Sequence, residues 1–359
     1  MKLPIDAEQK QLMKDFGLSY TSELKGLPAF RGFQSGLLFS HRDLDLFLSK
    51  LKKGERVAII SGFNPSSKIH LGHKSFLDVH LFFQKKYGVH SFIPISDDES
   101  YVVGKVETQK EALQNARHLV KELLALGFDP KKTHVYIDQI FTNIYNLAIK
   151  LSKKVTGSTI KAVYGYGDDT NSGMFFYPVV QAAHILLPLV LGYKEVLVPV
   201  GLDQDPYIRI SRDLAAKFSL PKPAEVCSVL LPGTDGEKMS KSRPESAIFL
   251  DEDLQSVKKK VMRAFSGGRT TVEEHRRLGG IPESDVALKY LTAYFLSQKE
   301  ADKLEKDYRK GKILSSELKE KLYKELEKFL KNYKKMLARV TERDVDSVLM
   351  RNETCGSVI

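Results

Sequence analysis

The sequence predicts an α/β protein in which a doubly wound parallel sheet is followed by an all-helical domain. Short apolar runs typical of buried strands alternate with longer segments of helical periodicity, as in βαβ units. The strand-like runs stop at about residue 250, which indicates where the helical part begins. The apolar runs are residues 57–60, 92–95, 134–137 and 196–200.

One helix between the strands is marked by its own sequence. Thr108 followed by Glu111 is a capping-box pattern, apolar residues recur after it at steps of three and four, and Gly127 marks its end. We expect a helix between these residues.

The strongest helical signal in the C-terminal part is an apolar stripe backed by basic residues. Such a helix buries the stripe. Its basic face is either solvated or a surface for a polyanion. The stripe comprises Leu318, Leu322, Leu326, Leu330, Tyr333, Leu337 and Val340, and the basic face comprises Lys321, Lys324, Lys328, Lys331, Lys335 and Arg339.

These patterns divide the chain into three parts. We expect an N-terminal accessory segment at residues 1–52, the α/β domain at 53–250 and the helical domain at 251–359. Pro65, Pro94 and Pro199 lie in or beside strand-like runs, so we expect strands to end or bulge there, at the sheet edge where ligands bind.

The composition limits the class of protein. Hydrophobic residues make up 42% and charged residues 28% of the 359 residues, which excludes a largely disordered chain. No apolar run reaches the ~20 residues of a membrane span, and the N-terminus lacks a secretory signal. Cys227 and Cys355 form no metal-binding or disulfide pattern. We expect a cytoplasmic protein whose net charge of +11 reflects either a polyanionic partner or a solvated surface.

The segment 65–73, Pro-Ser-Ser-Lys-Ile-His-Leu-Gly-His, follows the first predicted strand and opens a helix. His70 and His73 are three residues apart, so both imidazoles can reach an anion at the helix N-terminus. Pro65, Ser66 and Gly72 would let a nucleotide lie against the backbone. The competing interpretation is a pair of polar residues at a helix start.

A second basic motif follows about 165 residues downstream, behind a Gly-Thr-Asp-Gly turn. Lys238 and Lys241 can bring cations onto the phosphates of the same nucleotide, with Met239, Ser240 and Ser242 also contacting it. Closure of this loop would gate the reaction. The alternative is an exposed loop rich in lysine and serine.

Acidic residues follow two of the predicted strands. Gly201 and Asp203 come after 196–200, where the carboxylate can accept a hydrogen bond from a ribose hydroxyl. The run 96–99, Ser-Asp-Asp-Glu, can supply an acceptor for an ammonium group. Solvated loop acids are the competing interpretation for both.

Together, the histidine and lysine motifs resemble the paired signatures of class I aminoacyl-tRNA synthetases. Further blocks resemble tryptophanyl-tRNA synthetases of the archaeal and eukaryotic type, and the similarity spans residues 36 to about 295. These blocks include Phe39-Ser40-His41-Arg42-Asp43, Tyr177-Pro178-Val179-Val180-Gln181, Asp203-Gln204-Asp205-Pro206-Tyr207 and Phe265-Ser266-Gly267-Gly268-Arg269.

This resemblance implies a homodimeric tryptophan-tRNA ligase with a Rossmann-like catalytic domain. Such an enzyme makes tryptophanyl-adenylate from L-tryptophan and ATP with Mg²⁺, then esterifies the 3′ end of tRNA(Trp). It needs no prosthetic group, no protein-bound metal and no membrane. The resemblance further implies a dimer-forming insertion at about 140–191, a mobile lysine loop at 233–243, an anticodon-binding helical domain, and a tryptophan pocket containing Glu99, Gln181 and Gln204.

Two pocket positions depart from the family pattern. Ile60 replaces a tyrosine at the end of the first strand, and Pro94 replaces a glutamine before the acidic run. Both would normally contact the substrate side chain. His184 lies three residues after Gln181 on the same helix face, and we expect it to accept the indole N–H instead. Its competing interpretation is a histidine packed between helices.

Three rival functions stay open at this point. A tyrosine-tRNA ligase would carry aspartate where this chain has His184. A nucleotidylyltransferase shares the His-x-Gly-His motif but needs neither the lysine loop nor the helical domain. A catalytically silent RNA-binding relative would not need both motifs intact.

Overall fold

A mixed seven-stranded sheet forms the centre of the structure, a computed structural model in which residues 2–66, 68–237 and 245–355 are described. The strands are β1 (Ser19–Tyr20), β2 (Leu38–Arg42), β3 (Val57–Ile60), β4 (His90–Ile95), β5 (Thr133–Ile137), β6 (Glu195–Gly201) and β7 (Ala224–Ser228). The four predicted strands are confirmed as β3, β4, β5 and β6.

The sheet order is β1-β2-β7-β6-β3-β4-β5. The five strands from β7 to β5 are parallel, whereas β1 and β2 are antiparallel to their neighbours. The predicted parallel sheet is therefore confirmed for these five strands, and the N-terminal segment adds two antiparallel strands at one edge. β7 escaped prediction because its sequence contains Glu225, a buried carboxylate that pairs with Arg42 of β2.

Both prolines in the sheet lie where β3 has ended. β4 continues through Pro94 and β6 through Pro199, so the expectation that these strands end or bulge there was wrong. The carbonyl of Pro94 accepts from the backbone N–H of Phe63, and that of Pro199 accepts from the Ser61 hydroxyl. In a strand the N–H and C=O of one residue point to the same side. The missing N–H of each proline therefore faces the end of β3, where no ladder partner is needed.

Helices cover both faces of the sheet and form the C-terminal part. They are α1 (Ala7–Asp15), α2 (Arg31–Gln34), α3 (Leu44–Lys52), α4 (Lys74–Tyr87), α5 (Asp97–Val102), α6 (Gln109–Ala125), α7 (Asn143–Ser152), α8 (Gly157–Tyr164), α9 (Ser172–Val190), α10 (Asp205–Lys217), α11 (Leu254–Arg263), α12 (Val272–Leu278), α13 (Val286–Tyr290), α14 (Gln298–Arg309), α15 (Ser315–Leu337), α16 (Glu342–Val348) and α17 (Asn352–Cys355).

The predicted helix after Thr108 is α6. The Thr108 hydroxyl accepts from the backbone N–H of Glu111 at 3.1 Å, as the capping pattern requires. The Glu111 carboxylate accepts from the N–H of Glu107 instead of that of Thr108, so only half of the capping box forms. Gly127 follows the helix with a φ of +99°, a left-handed conformation that favours glycine.

Helix α9 corrects the expectation that no apolar run reaches the ~20 residues of a membrane span. Its 19 residues are long and apolar enough to cross a bilayer. Most of the helix is buried here, however, and it packs against α7 and α10. We therefore assign it to the interior of this protein.

The hydrophobic core is continuous between the sheet and the C-terminal helices. Leu318, Leu322, Leu326, Leu330 and Tyr333 of α15 are all buried, as their spacing predicts. The same core includes residues of α6, β4 and β5. At its centre, the Tyr333 hydroxyl donates to the Glu122 carboxyl of α6 at 3.2 Å. This bond joins the α/β part to the helical part.

Glu122 should make stability depend on pH. Burial raises the pKa of Glu122 to about 7, so the folded protein holds a proton that the unfolded chain releases near pH 4.5. Stability is then lost as the pH rises from about 4.5 to about 7. We expect Glu122→Gln to raise the free energy of unfolding by roughly 1 to 3 kcal/mol at pH 8 and to change it little at pH 5.

Chemical denaturation at the two pH values tests this expectation. Glu111→Gln, at an exposed position on the same helix, is the matched control and should shift neither midpoint. An equal shift for Glu122→Gln at pH 5 and pH 8 would contradict the assignment of the proton to this carboxyl.

Candidate active site

A cavity of about 620 Å³ opens at the carboxyl ends of β3, β4 and β6. This is the point in the sheet where the strand order reverses, the usual ligand position in open α/β folds. The predicted site residues that line it are Ile60, His70, Gly72, His73, Glu99, Gln181, His184, Gly201, Asp203 and Gln204. Pro65 and Ser66 are not among its lining residues. Lys238, Met239, Ser240, Lys241 and Ser242 lie outside the described residues.

His70 and His73 stack with ring centroids 3.7 Å apart. The Nδ1 atom of His70 accepts from the backbone N–H of Gly72, and Nδ1 of His73 accepts from the N–H of His70, both at 3.1 Å. A neutral imidazole whose Nδ1 accepts carries its proton on Nε2. The local fold thus fixes both rings as Nε2–H donors, the form that binds a phosphate oxygen.

The segment that follows the lysine motif is held against the histidine motif. Leu71 N–H donates to Ile248 O at 2.8 Å, and Leu250 N–H donates to Ile69 O at 3.0 Å. The residues on either side of the lysine motif also meet, because Thr234 N–H donates to Ser246 O at 2.8 Å. Residues 234 and 246 are therefore joined to each other, and residues 248–250 are joined to the histidine motif.

The end of β6 presents Asp203 to the cavity. A Cβ atom at Gly201 would lie 2.5 Å from Asp203 Oδ1, so glycine is needed for the carboxylate to lie against the backbone. The Gln204 amide donates to Asp203 Oδ2 at 3.2 Å.

Arg42 anchors the helix that begins just after Asp203. Its guanidinium donates to Asp205 at 2.5 Å and to Glu225 at 2.6 Å, and both carboxylates are fully buried. A second pair, Arg212 with Asp43 at 2.7 Å, joins the same two parts of the chain. These contacts fix the position of the loop that carries Asp203.

The other end of the cavity is lined by tyrosines. The Tyr164 hydroxyl donates to the Gln181 side-chain oxygen at 2.6 Å, and the hydroxyls of Tyr177 and Ser96 lie 3.0 Å apart. The Asn64 amide donates to the Glu99 carboxylate at 2.5 Å. Gln181 and Glu99 are thus both oriented by hydrogen bonds within the cavity wall.

His184 is buried, and its Nε2 lies 2.8 Å from Asp138 Oδ1. Burial lowers the pKa of His184 to about 4, so its imidazole is neutral at pH 7. Burial also raises the pKa of Asp138 well above its usual range. The side chains of Ile60 and Pro94, which line the same cavity, carry no hydrogen-bonding atoms.

Within residues 2–66, 68–237 and 245–355, one cluster of carboxyl groups has the spacing of metal ligands. It consists of Asp97, Asp98 and Asp138, whose oxygens lie within 4.8 Å of one another. Each has hydrogen-bond partners in the protein. Gln139 donates to Asp97 at 2.6 Å, and Tyr145 donates to Asp98 at 3.2 Å. Burial raises the pKa of Asp97 to about 6 and that of Asp98 to about 7. We assign this cluster to hydrogen bonding, as described below.

Similarity to known proteins identifies the family of this chain. The model of class I tRNA synthetases (W and Y) matches residues 52–331. The chain belongs to this family. The synthetase is 36% identical to the tryptophan–tRNA ligase of Methanocaldococcus jannaschii, over 94% of each chain. It also resembles the tryptophanyl-tRNA synthetase structure of Aeropyrum pernix, with a TM-score of 0.87 and 35% identity over 95% of this chain and 96% of that one.

A third similar structure is that of a tryptophanyl-tRNA synthetase from Encephalitozoon cuniculi bound to tryptophan. Its TM-score is 0.87 and its identity 29%, over 98% of this chain and 99% of that one. The fold of the synthetase is therefore shared across nearly its whole length with class I enzymes of this family.

Sequence reasoning missed several residues that line or support the synthetase cavity. Tyr177 was detectable, because it precedes Gln181 by four and His184 by seven residues, which places all three on one helix face. Tyr164 and Asp138 carried no such signal, because α8 and the end of β5 approach α9 only in the folded chain.

The Arg42 pairs should be essential for stability. Arg42→Met leaves the buried Glu225 without its cation and Asp205 with only the partly exposed Arg209, and we expect the free energy of unfolding at pH 8 to fall by about 3 to 5 kcal/mol. Arg209→Met is the matched control: Arg209 also pairs with Asp205, at 2.9 Å, but its side chain is 45% exposed. That variant should lose less than about 1 kcal/mol.

Chemical denaturation of both variants measures the difference. Equal losses for Arg42→Met and Arg209→Met would show that burial of the Arg42 pairs does not determine their contribution.

Proposed function

We propose that this synthetase activates L-tryptophan with ATP and transfers it to the 3′ end of tRNA(Trp). The observation that carries the proposal is the cavity at the carboxyl ends of β3, β4 and β6, which is lined both by the fixed imidazoles of His70 and His73 and by tyrosines, Glu99 and Gln181. Relatives named tryptophan–tRNA ligase support the choice of amino acid.

The imidazoles act on the phosphate that reacts. The tryptophan carboxylate attacks the α-phosphorus of ATP, supplied as its Mg²⁺ complex, and pyrophosphate leaves. Negative charge grows on the phosphate oxygens during this step, so fixed donors stabilise the transition state. The Nε2–H groups of His70 and His73 are such donors, because their tautomers are set before ATP arrives.

The lysine motif acts on the leaving group. In this proposal Lys238 and Lys241 neutralise pyrophosphate, while Met239, Ser240 and Ser242 contact the nucleotide. The hydrogen bonds between residues 248–250 and the histidine motif support this arrangement, because the chain that follows the lysine motif returns to His70.

The remaining contacts orient the two substrates. Asp203 accepts from the ribose hydroxyls, with Gly201 allowing the nucleotide to lie close to the backbone. Glu99 binds the ammonium group of tryptophan, and Gln181 and Gln204 complete the pocket. His184 accepts the indole N–H, because the side chains of Ile60 and Pro94 offer no hydrogen-bonding atom.

The helical domain and a second copy of the chain complete the proposal. Residues 251–359 would bind the anticodon arm, since the exposed lysines of α15 form a basic face. Residues 140–191 would form a homodimer interface, and Ile149 in this segment is 60% exposed. We place the enzyme in the cytoplasm, where tRNA charging supplies translation.

Tyrosine-tRNA ligation is the closest rival. Tyrosine-specific relatives in this family are expected to carry aspartate at the position of His184, as noted above. A neutral histidine paired with a buried acid is a different environment for the substrate side chain. A nucleotidylyltransferase would not need the C-terminal helices, and a silent relative would not need the fixed tautomers of His70 and His73.

Amino-acid-dependent pyrophosphate exchange tests the function directly. We expect exchange with tryptophan and little with tyrosine. The chain contains no tryptophan, so tryptophan emission reports the ligand alone. Adding protein should change that emission saturably, and excess tyrosine should not reverse the change. Exchange with tyrosine at a comparable rate would move the assignment to a tyrosine-tRNA ligase.

The basic face of α15 should bind tRNA. Replacing Lys328, Lys331 and Lys335 together with glutamine should weaken tRNA binding and make its salt slope shallower by roughly 2 to 3, about one per lost phosphate contact, with pyrophosphate exchange unchanged.

A matched control replaces Lys10, Lys14 and Lys25, which are also exposed, with the same change in net charge. The control should leave the slope nearly unchanged. If the salt dependence of tRNA binding is unaltered in the α15 variant, its lysines belong to a solvated surface that does not contact tRNA.

A further inference from the structure

We propose that Asp138 is a positioning residue that holds His184 in the tautomer able to accept the indole N–H of tryptophan. The proposal rests on the function proposed above, because it concerns recognition of that substrate. Asp138 itself acts through His184 and not on tryptophan. Three observations carry it: the contacts from β5 to His184, the hydrogen-bonding needs of the buried acids, and the lack of another partner from Ile60 or Pro94.

His184 is held by residues of β5 and its end at two points. Its ring meets Asp138 at 2.8 Å, and its backbone carbonyl accepts from the Tyr136 hydroxyl at 2.9 Å. The carbonyl is available because Pro188, four residues later in α9, has no N–H to donate to it. The backbone and ring of His184 are therefore fixed relative to the sheet before substrate binds.

The two oxygens of Asp138 have different roles. Oδ1 meets Nε2 of His184, whereas Oδ2 is buried and receives no N–H or O–H from the described residues of the protein. The carboxyl groups of Asp138 and Asp98 also lie together, with oxygens within 4.8 Å of each other, and interact as a hydrogen-bonded pair. Two carboxyl groups form such a bond only when a proton lies between them.

The proton belongs on Asp138. Asp98 already accepts from the Tyr145 hydroxyl at 3.2 Å and from the backbone N–H of Glu99 at 2.7 Å, which favours its ionised form. Asp138 then donates from Oδ2 to Asp98 and accepts at Oδ1. Every polar group in this chain of contacts gains a partner in that arrangement.

The consequence for His184 follows from this assignment. Because Oδ1 of Asp138 accepts, His184 must donate from Nε2–H, and its Nδ1 carries a lone pair. His184 lines the cavity beside Ile60 and Pro94, whose side chains cannot accept an indole N–H. Nδ1 of His184 is thus the acceptor that this pocket supplies.

The test compares tryptophan with its benzothiophene analogue, in which sulfur replaces the indole nitrogen. We expect Asp138→Leu to lower kcat/KM for tryptophan in pyrophosphate exchange by roughly 5- to 150-fold, because His184 loses the partner that sets its tautomer. The analogue has no N–H to lose and should be affected much less. Equal losses for both substrates would show that Asp138 only shapes the pocket, which overturns the proposal.

Asp138→Asn is the conservative variant that distinguishes the protonated from the ionised acid. Its amide oxygen can accept from His184 and its NH₂ can donate to Asp98, as neutral Asp138 does. We therefore expect Asp138→Asn to retain most of the selectivity for tryptophan over the analogue. A loss as large as that of Asp138→Leu would mean that the charge of Asp138 is required and would overturn the shared-proton assignment.

A double-mutant cycle tests whether Asp138 acts through His184. His184→Leu alone should reproduce the selective loss on tryptophan, and Asp138→Leu/His184→Leu should lose no more than that single variant. Additive losses would show independent roles and contradict the proposal. If Asp138→Leu does not fold, judged by its unfolding midpoint, Asp138→Ala takes its place in the cycle.

Failure of this inference is separable from failure of the proposed function. If the unmodified protein shows no exchange with tryptophan, the function itself is wrong. If it exchanges tryptophan normally and all Asp138 variants keep the same preference over the analogue, only the role of Asp138 is refuted.

Discussion

The early end of β3 is the constraint on which the site depends. β3 has four residues, whereas its neighbours β4 and β6 continue past it through Pro94 and Pro199. Each proline turns the side without an N–H toward the space beyond Ile60, so the two longer strands can border an open cleft without unsatisfied donors. Because the strand order also reverses there, the chain leaving β3 and the chain leaving β6 bring His70 and Asp203 to the same cavity.

Buried ion pairs hold β2 and α10, which support the cleft, in fixed positions relative to each other. Arg42 and Asp43, at the end of β2, pair with Asp205 and Arg212 of α10, more than 160 residues later. A charge buried without its partner is costly, so these pairs allow few other positions for α10 relative to the sheet. They also explain why a strand as polar as β7 lies inside the structure: its Glu225 shares the guanidinium of Arg42.

The histidines of the cavity differ in which ring nitrogen faces a protein partner, and the neighbouring groups determine this difference. His70 and His73 accept backbone N–H groups at Nδ1, so each carries its proton on Nε2, which in our proposal donates to phosphate. His184 meets Asp138 through Nε2, which in our proposal leaves Nδ1 to accept from tryptophan. The side chains are chemically identical, so the proton on each ring is decided by whether a backbone donor or a carboxyl oxygen lies beside it.

Much of this protein was determined by local sequence. Four strands, the start and end of α6 and the buried stripe of α15 are readable because periodicity and capping act over a few residues. Other features depend on partners far along the chain. Pro94 and Pro199 stay inside strands because β3 ends beside them, Glu225 is buried because Arg42 reaches it, and Tyr164 and Asp138 join the site because α8 and β5 pack against α9. Only the tertiary structure decides such contacts, since burial and pairing change the free energy of a polar group by more than its local propensity does.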